Sequence, residues 1–434
     1  MGRFTAFGRA AIRGRAPWAV TAGALSSVGN LLLSLTVART ESIDGLGRFA
    51  LAFSLYVLAT GLSRATVVEA VLADPDPASV PAAAERTVTL GLGCAVLILA
   101  GGFATGSAYL VVTAVALPGL MLHDHVKTVG LGLGMPRPAC LREALWTASS
   151  GVGVLLGLLG VIGPVAVFAV WAGTGALLGW AAAATYRYRI TPGWRLDRAE
   201  SRAAASFGMQ FLFTTGSAQL AVAALGASAG MAVVGAVSLG RTALGPATLL
   251  VGTASSLIIP YLAGTRAAPG PVRLRAAVRA CVLLSGAVLP PAVLVLLLPA
   301  GLGAAVFGSN WRHAAPLMPL LALEVLLSGL ALVGFAGHRV HGAGFRALLL
   351  GGVLGVIRVP VVVAGGLLLG AAGAAVALLL MALLSAVVWG ISYAALVRGT
   401  RPVGRHRIGT AHRSPPTGKP ADPAARRTVS PGSR

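Results

Sequence analysis

Residues 231–262, MAVVGAVSLGRTALGPATLLVGTASSLIIPYL, contain a single charged side chain, Arg241. A helix needs about 20 mostly apolar residues to cross a bilayer, and this run exceeds that length. Arg241 sits roughly a third of the way along, and the helix-distorting pair Gly245-Pro246 follows it. A charge at that depth costs about 2.5–3.5 kcal/mol on insertion scales and is tolerated where the side chain faces a cavity or a partner. Two readings follow. Either another helix neutralises Arg241 for packing, or the guanidinium lines a path for an anionic substrate.

The rest of the chain has the same character. Hydrophobic residues make up 56% and charged residues 11%, with a mean hydropathy of +0.84. A soluble domain carries about 25% charged residues, so the sequence describes a polytopic membrane protein. The net charge of +22 does not indicate nucleic acid. Of 34 basic residues only Lys127 and Lys419 are lysines, and the basic side chains cluster between apolar segments and in the tail. The positive-inside bias places them there. Cys94, Cys140 and Cys281 are scattered without CxxC spacing and suggest neither a disulfide framework nor a zinc site. No cofactor is expected. The first apolar stretch has full spanning length and lacks a cleavage site, so it reads as a membrane helix rather than a signal peptide.

Read in order, residues 1–16 form a basic arm with Arg3, Arg9, Arg13 and Arg15. Twelve apolar segments follow, near 17–38, 46–73, 87–106, 109–130, 141–159, 163–184, 205–227, 231–262, 278–298, 314–336, 345–369 and 371–397. The basic loop 186–204 separates an N-terminal six-helix bundle, 17–185, from a C-terminal one, 205–397. Residues 398–434 are Pro-, Arg- and Ser-rich, a composition expected to stay disordered. With both termini inside, the arm, Arg137, Arg142, the 186–202 loop, the arginines of 266–279, Arg339, Arg346 and the tail all face the cytoplasm. Only Arg39, Arg48 and Arg312 face out. That asymmetry sets the expected topology. GRFALAFSLYVLATGL in the second helix is weakly echoed by GAVSLGRTALGPATLL in the eighth, and internal repeats of this kind are common in transporters.

Several polar residues fall inside apolar segments. His123-Asp124-His125 suggests a metal, but neighbouring helical positions point about 100° apart, so the histidines do not share a face; Asp124 and Lys127 do. Arg64 and Glu69 are five apart and are not a natural intrahelical pair. Glu324 and Arg358 lie near mid-bilayer on consecutive helices, and a mutual structural ion pair is the economical expectation. Subtracting that pair leaves Arg241 and Arg64 without an evident acidic partner. These two arginines, with the polar Asn30 and Gln219, are the expected cavity residues. No metal site is expected, and no G-x-S-x-G, HExxH or Walker motif is present. No catalytic residue is therefore assigned, and the chain is not expected to be an enzyme.

Three stretches resemble bacterial polysaccharide-export proteins of the MATE-like (multidrug/oligosaccharidyl-lipid/polysaccharide) superfamily, which also includes lipid-linked oligosaccharide flippases. VGAVSLGRTALGPATLLVGTASSLIIPYLA resembles its eighth helix, LPGLMLHDHVKTVGLGLGMPRPACLREALW the end of its fourth and start of its fifth, and VFGSNWRHAAPLMPLLAL the turn before its tenth. With the helix count, the similarity covers most of residues 17–397. His-Asp-His-Val-Lys departs from the glutamine-aspartate and arginine more usual there. The resemblance implies two six-helix bundles facing a central cavity lined by helices 1, 2, 7 and 8, with alternating access. It further implies a lipid-diphosphate-linked glycan as cargo, cavity arginines against the diphosphate, a plasma-membrane location and glycan-assembly proteins as partners. The rivals are a MATE-like exporter of small molecules, for which cavity acids are expected, a glycan polymerase, for which a large outer loop is expected, and a non-transporting component of a polysaccharide assembly complex.

Overall fold

A computed structural model describes residues 2–73, 79–195 and 198–399. The expected disordered tail lies outside the described residues from 400 onward. Among the described residues every regular element is helical. The first lobe comprises α1 (Gly2–Thr40), α2 (Ile43–Ser63, continuing through Arg64–Val68 to Glu69–Ala73), α3 (Ser79–Thr105), α4 (Ala108–Gly132), α5 (Pro136–Leu158) and α6 (Pro164–Thr185). The second comprises α7 (Arg198–Phe211, continuing through Leu212–Gly216 to Ser217–Ala229), α8 (Met231–Ala243 and Gly245–Ala263), α9 (Gly270–Leu296) and α10 (Met318–Val340). The continuous stretch Gly344–Gly399 completes it as two helices, α11 and α12, broken at Leu369 and Gly370. Gly370 takes φ +61, a left-handed conformation that a side chain would strain.

Ten of the described helical stretches are long and apolar enough to cross a membrane, by length and composition. α5 is not among them. It carries Arg137, Arg142 and Glu143 in its first two turns, and it packs against α1 and α6. The chain is thus an all-α, polytopic membrane protein.

Local chemistry starts and interrupts the helices. Ser42 caps α2 by accepting from the Gly45 backbone N–H at 3.0 Å, with Asp44 in the first turn. Pro136 and Pro164 open α5 and α6, where a missing N–H costs nothing. α8 breaks at Leu244, just before Gly245-Pro246, as those two residues lead one to expect. Two single turns of π-helix are less expected: Arg64–Val68 in α2 and Leu212–Gly216 in α7. Such bulges release a backbone carbonyl and concentrate at functional positions.

The first lobe packs around α4, by far the most buried of the spans. Its core is aromatic. Phe168 stacks on Trp171 at 5.5 Å, and Phe49, Phe53, Tyr56, Tyr109 and Trp146 close around them at ring separations of 5.2–5.8 Å. Aromatic pairs contribute about 0.5–1.5 kcal/mol each beyond area burial. In the second lobe α10 packs on α12 through Gly334 against Trp389 and Gly337 against Tyr393. With no hydrophobic driving force between helices inside lipid, such small-residue approaches supply the packing.

The lobes meet mainly through α2, which packs against both α7 and α8. At the α1–α2 turn the approach is tight. A Cβ on Gly47 would stand 1.9 Å from the Met231 carbonyl oxygen, and one on Gly235 2.2 Å from that of Ile43. Asn310 donates to the Ala38 and Glu41 carbonyls at 2.9 and 2.8 Å, and Tyr109 donates to Glu41 at 2.6 Å. This end of the interface between the lobes is sealed.

Candidate functional site

Between the lobes lies a cavity of about 680 Å3. Ser27, Asn30 and Ser34 of α1 and Phe53 of α2 form one wall. The other is the middle of α8, from Arg241 to Gly252, with Glu324 and Ser328 of α10. The break in α8 shapes this wall: it ends the first helical segment just after Arg241 and begins a second at Gly245. Most of the lining surface is apolar, with Ser27, Asn30 and Ser34 as the polar groups of the α1 wall and Arg241, Glu324 and Ser328 among those facing it. A smaller cavity of about 210 Å3 shares Arg241, Glu324 and Ser328 and is completed by Thr214, Thr215, Ala218, Arg358, Leu378 and Ala382.

The expected ion pair is corrected by this geometry. Glu324 does not take Arg358; its Oε1 accepts from Arg241 Nη2 at 3.0 Å and from Ser328 Oγ at 3.5 Å. Arg358 instead donates through Nη1 to the Thr214 carbonyl at 3.3 Å and to Ser217 Oγ at 3.2 Å. The physical reason lies in how α11 meets α7. A Cβ on Gly355 would come within 2.3 Å of the Phe213 carbonyl, so α11 lies directly on α7. One turn along, Arg358 meets the π-turn of α7. A short connection between α10 and α11 does not decide which faces they turn toward each other. Arg241, expected to lack an acid, has one.

Arg64 has one as well. Its Nε donates to Asp124 Oδ2 at 3.1 Å, and its Nη2 donates to Asp124 Oδ1, a two-pronged guanidinium–carboxylate contact. Behind it runs a buried chain of polar groups. Lys127 Nζ lies 3.8 Å from Asp124 and 3.1 Å from Glu143, and it donates to Ser26 Oγ at 3.4 Å. Glu143, fully buried, also pairs with His123 Nε2 at 2.8 Å. The three consecutive side chains His123-Asp124-His125 therefore diverge. His123 turns to Glu143 and Trp146, Asp124 to Arg64, and His125 to Thr87 at 2.9 Å. Among the described residues no cluster of three or more His, Cys, Asp or Glu side chains could hold a metal ion.

The two remaining expected cavity residues go different ways. Asn30 lines the larger cavity. Gln219 accepts a hydrogen bond from Ser54 Oγ, bridging α2 to α7.

No protein family and no curated protein sequence matches the chain. Solved structures do. A multidrug resistance MATE family transporter of the MOP superfamily, inward-facing, superposes with a TM-score of 0.59 at 15% identity, over 88% of this chain and 99% of that one. The lipid II flippase MurJ, in an inward closed conformation, gives 0.63 at 11% identity over 89% and 88%. The MATE multidrug transporter DinF-BH gives 0.60 at 14% identity over 90% and 97%.

The chain has the MATE-like fold. That likeness supports the two-lobe, all-helical architecture. Sequence reasoning missed Glu143 altogether, although a carboxylate next to Arg142 at the start of an apolar segment was a signal. It also missed the partnership of Arg64 and Asp124, residues sixty positions apart that no periodicity relates.

Proposed function

We propose that this MATE-like chain is a plasma-membrane transporter that moves a lipid-linked, anionic glycan precursor by alternating access. Both termini face the cytoplasm in this reading, so the sealed end at the α1–α2 turn is external. The observation that carries the proposal is the 680 Å3 cavity, apolar over most of its walls and lined at one edge by Arg241 in its pair with Glu324. Such a cavity suits an amphiphile. The lipid stays against apolar surface, while Arg241 offers a planar donor fork to phosphate oxygens. The pairing with Glu324 keeps the empty cavity near neutral and costs little to exchange, because the Arg241 side chain is 31% exposed.

Glu324 also favours a second reading. A carboxylate in an apolar cavity would take an amphiphilic cation, as a small-molecule exporter requires. One set of vesicles tests both. Protein is reconstituted in liposomes, and translocation of a fluorescent polyprenyl-diphosphate sugar and uptake of a lipophilic cation are measured per folded protein. R241Q/E324Q removes the pair without orphaning either charge. It is expected to fold, to lose flipping at least about tenfold, and to leave no role for an unpaired acid. R241K is expected to recover only part, since lysine keeps the charge without the fork. Full flipping by folded R241Q/E324Q refutes the cavity-cation reading. Cation uptake by the wild type without flipping moves the protein to the exporter reading, and neither activity moves it to a scaffold.

A further inference from the structure

We propose that the smaller cavity, between α7, α8, α10, α11 and α12, is a binding site for a small monovalent anion held by Arg358. The proposal does not rest on the lipid-linked reading, since it concerns a site behind the Arg241–Glu324 pair and is tested without lipid cargo.

Three charged side chains line this cavity: Arg241, Arg358 and Glu324. Glu324 is engaged by Arg241 at 3.0 Å, which makes a neutral pair and leaves the charge of Arg358 unbalanced. A guanidinium carries five N–H donors. Both of Arg358's protein contacts use Nη1, and both acceptors, the Thr214 carbonyl and Ser217 Oγ, are neutral. Among the described residues, Nε and Nη2 of Arg358 have no protein acceptor, and neither does the Thr215 hydroxyl, which is exposed on the same wall. Ser328 Oγ donates to Glu324 at 3.5 Å and adds no free donor. The cavity thus holds free donors on Arg358 and Thr215 and one positive charge in excess.

Water can satisfy the donors but not the charge. Deep in an apolar bundle an unbalanced guanidinium is costly, and a monovalent anion removes the imbalance. The volume agrees. At about 210 Å3 the cavity is several times a water's share of about 30 Å3 in the liquid, room for a halide with its waters or for a carboxylate group.

The geometry also explains why Arg358 is held there. The π-turn Leu212–Gly216 loosens the regular carbonyl pairing of α7. Arg358 takes up the Thr214 carbonyl with one nitrogen and keeps the rest of its fork free. The close contact of Gly355 with Phe213 fixes the depth of the guanidinium. One chemistry, a small monovalent anion, has two sources: a free halide, or a carboxylate carried on the transported molecule.

The test uses the full-length purified protein in detergent micelles, without cargo. Melting temperature is followed while sodium chloride replaces sodium methanesulfonate at constant ionic strength, and in a parallel series with sodium glucuronate. The wild type is expected to rise saturably with at least one of the two. R358Q, whose side-chain amide can still donate to the Thr214 carbonyl, is expected to lose the saturable rise. R358K is expected to keep it with a half-saturation point shifted at least tenfold upward. T215V, which leaves every charge in place, is expected to shift the half-point upward as well, and it decides the matter should R358Q fold poorly. Saturation by chloride assigns the site to a free ion; saturation by glucuronate but not chloride assigns it to an acid group on the cargo. No saturable response to either anion in the wild type overturns the proposal, as does an unchanged half-point in R358Q, or in T215V if R358Q is unfolded.

Discussion

The side chain whose loss the fold should feel most is Glu143. It is fully buried, and its carboxylate holds both Lys127 Nζ at 3.1 Å and His123 Nε2 at 2.8 Å. In Glu143→Gln the amide oxygen can still accept from His123, so the change isolates the charge. Breaking a buried pair by removing one partner costs about 3–5 kcal/mol. Lys127 retains Asp124 at 3.8 Å and Ser26 at 3.4 Å, which places the loss at the lower end, ~3 kcal/mol. For a cooperative unit of about 150–250 residues, the size of one lobe, each kcal/mol moves the melting temperature by about 2–4 °C. The drop is then about 6–12 °C. Glu324→Gln provides the contrast. Its partner Arg241 is 31% exposed to the central cavity, where water can take over in part, so the loss is smaller than at the fully buried Glu143, and the melting temperature should fall less. Fluorescence-detected size-exclusion melting of both variants, with the double variant Lys127→Met/Glu143→Gln, reads the difference. The double variant should recover part of the loss because it leaves no orphaned charge. A fall for Glu143→Gln no larger than for Glu324→Gln, or strict additivity of the Lys127 and Glu143 losses, would refute the reasoning.

Two further outcomes are expected. Gly47→Ala puts a methyl 1.9 Å from the Met231 carbonyl, which is backbone and must move; overpacking of this kind costs about 1–3 kcal/mol. Its melting temperature should fall by several degrees, whereas Gly93→Ala, with nothing within 4 Å, should not lower it, and equal behaviour of the two would show that the sealed end does not depend on this approach. In a cysteine-free background, a membrane-impermeant thiol reagent applied to intact cells should label Ser309→Cys and spare Ser201→Cys, both exposed positions; the opposite pattern would invert the proposed topology.

The apolar runs determined much by themselves. Once residues such as 231–262 carry one charge in a span's length, a helical bundle in a membrane follows from the cost of exposing polar groups to lipid. Gly245-Pro246 likewise announced the break in α8, because proline's missing N–H acts within one turn of itself. Ion pairing was a different matter. Which acid meets which arginine depends on how helices rotate about their axes, and those rotations are set by contacts between helices that are far apart in sequence. Gly355 lays α11 on α7 and sends Arg358 to a π-turn carbonyl rather than to Glu324. Arg64 and Asp124 are neighbours because α4 sits at the centre of its lobe, packed directly against α2. The buried Lys127–Glu143–His123 chain forms where α4 meets α5. A hydrophobic period says which face of a helix is buried, and only the packed bundle says against what.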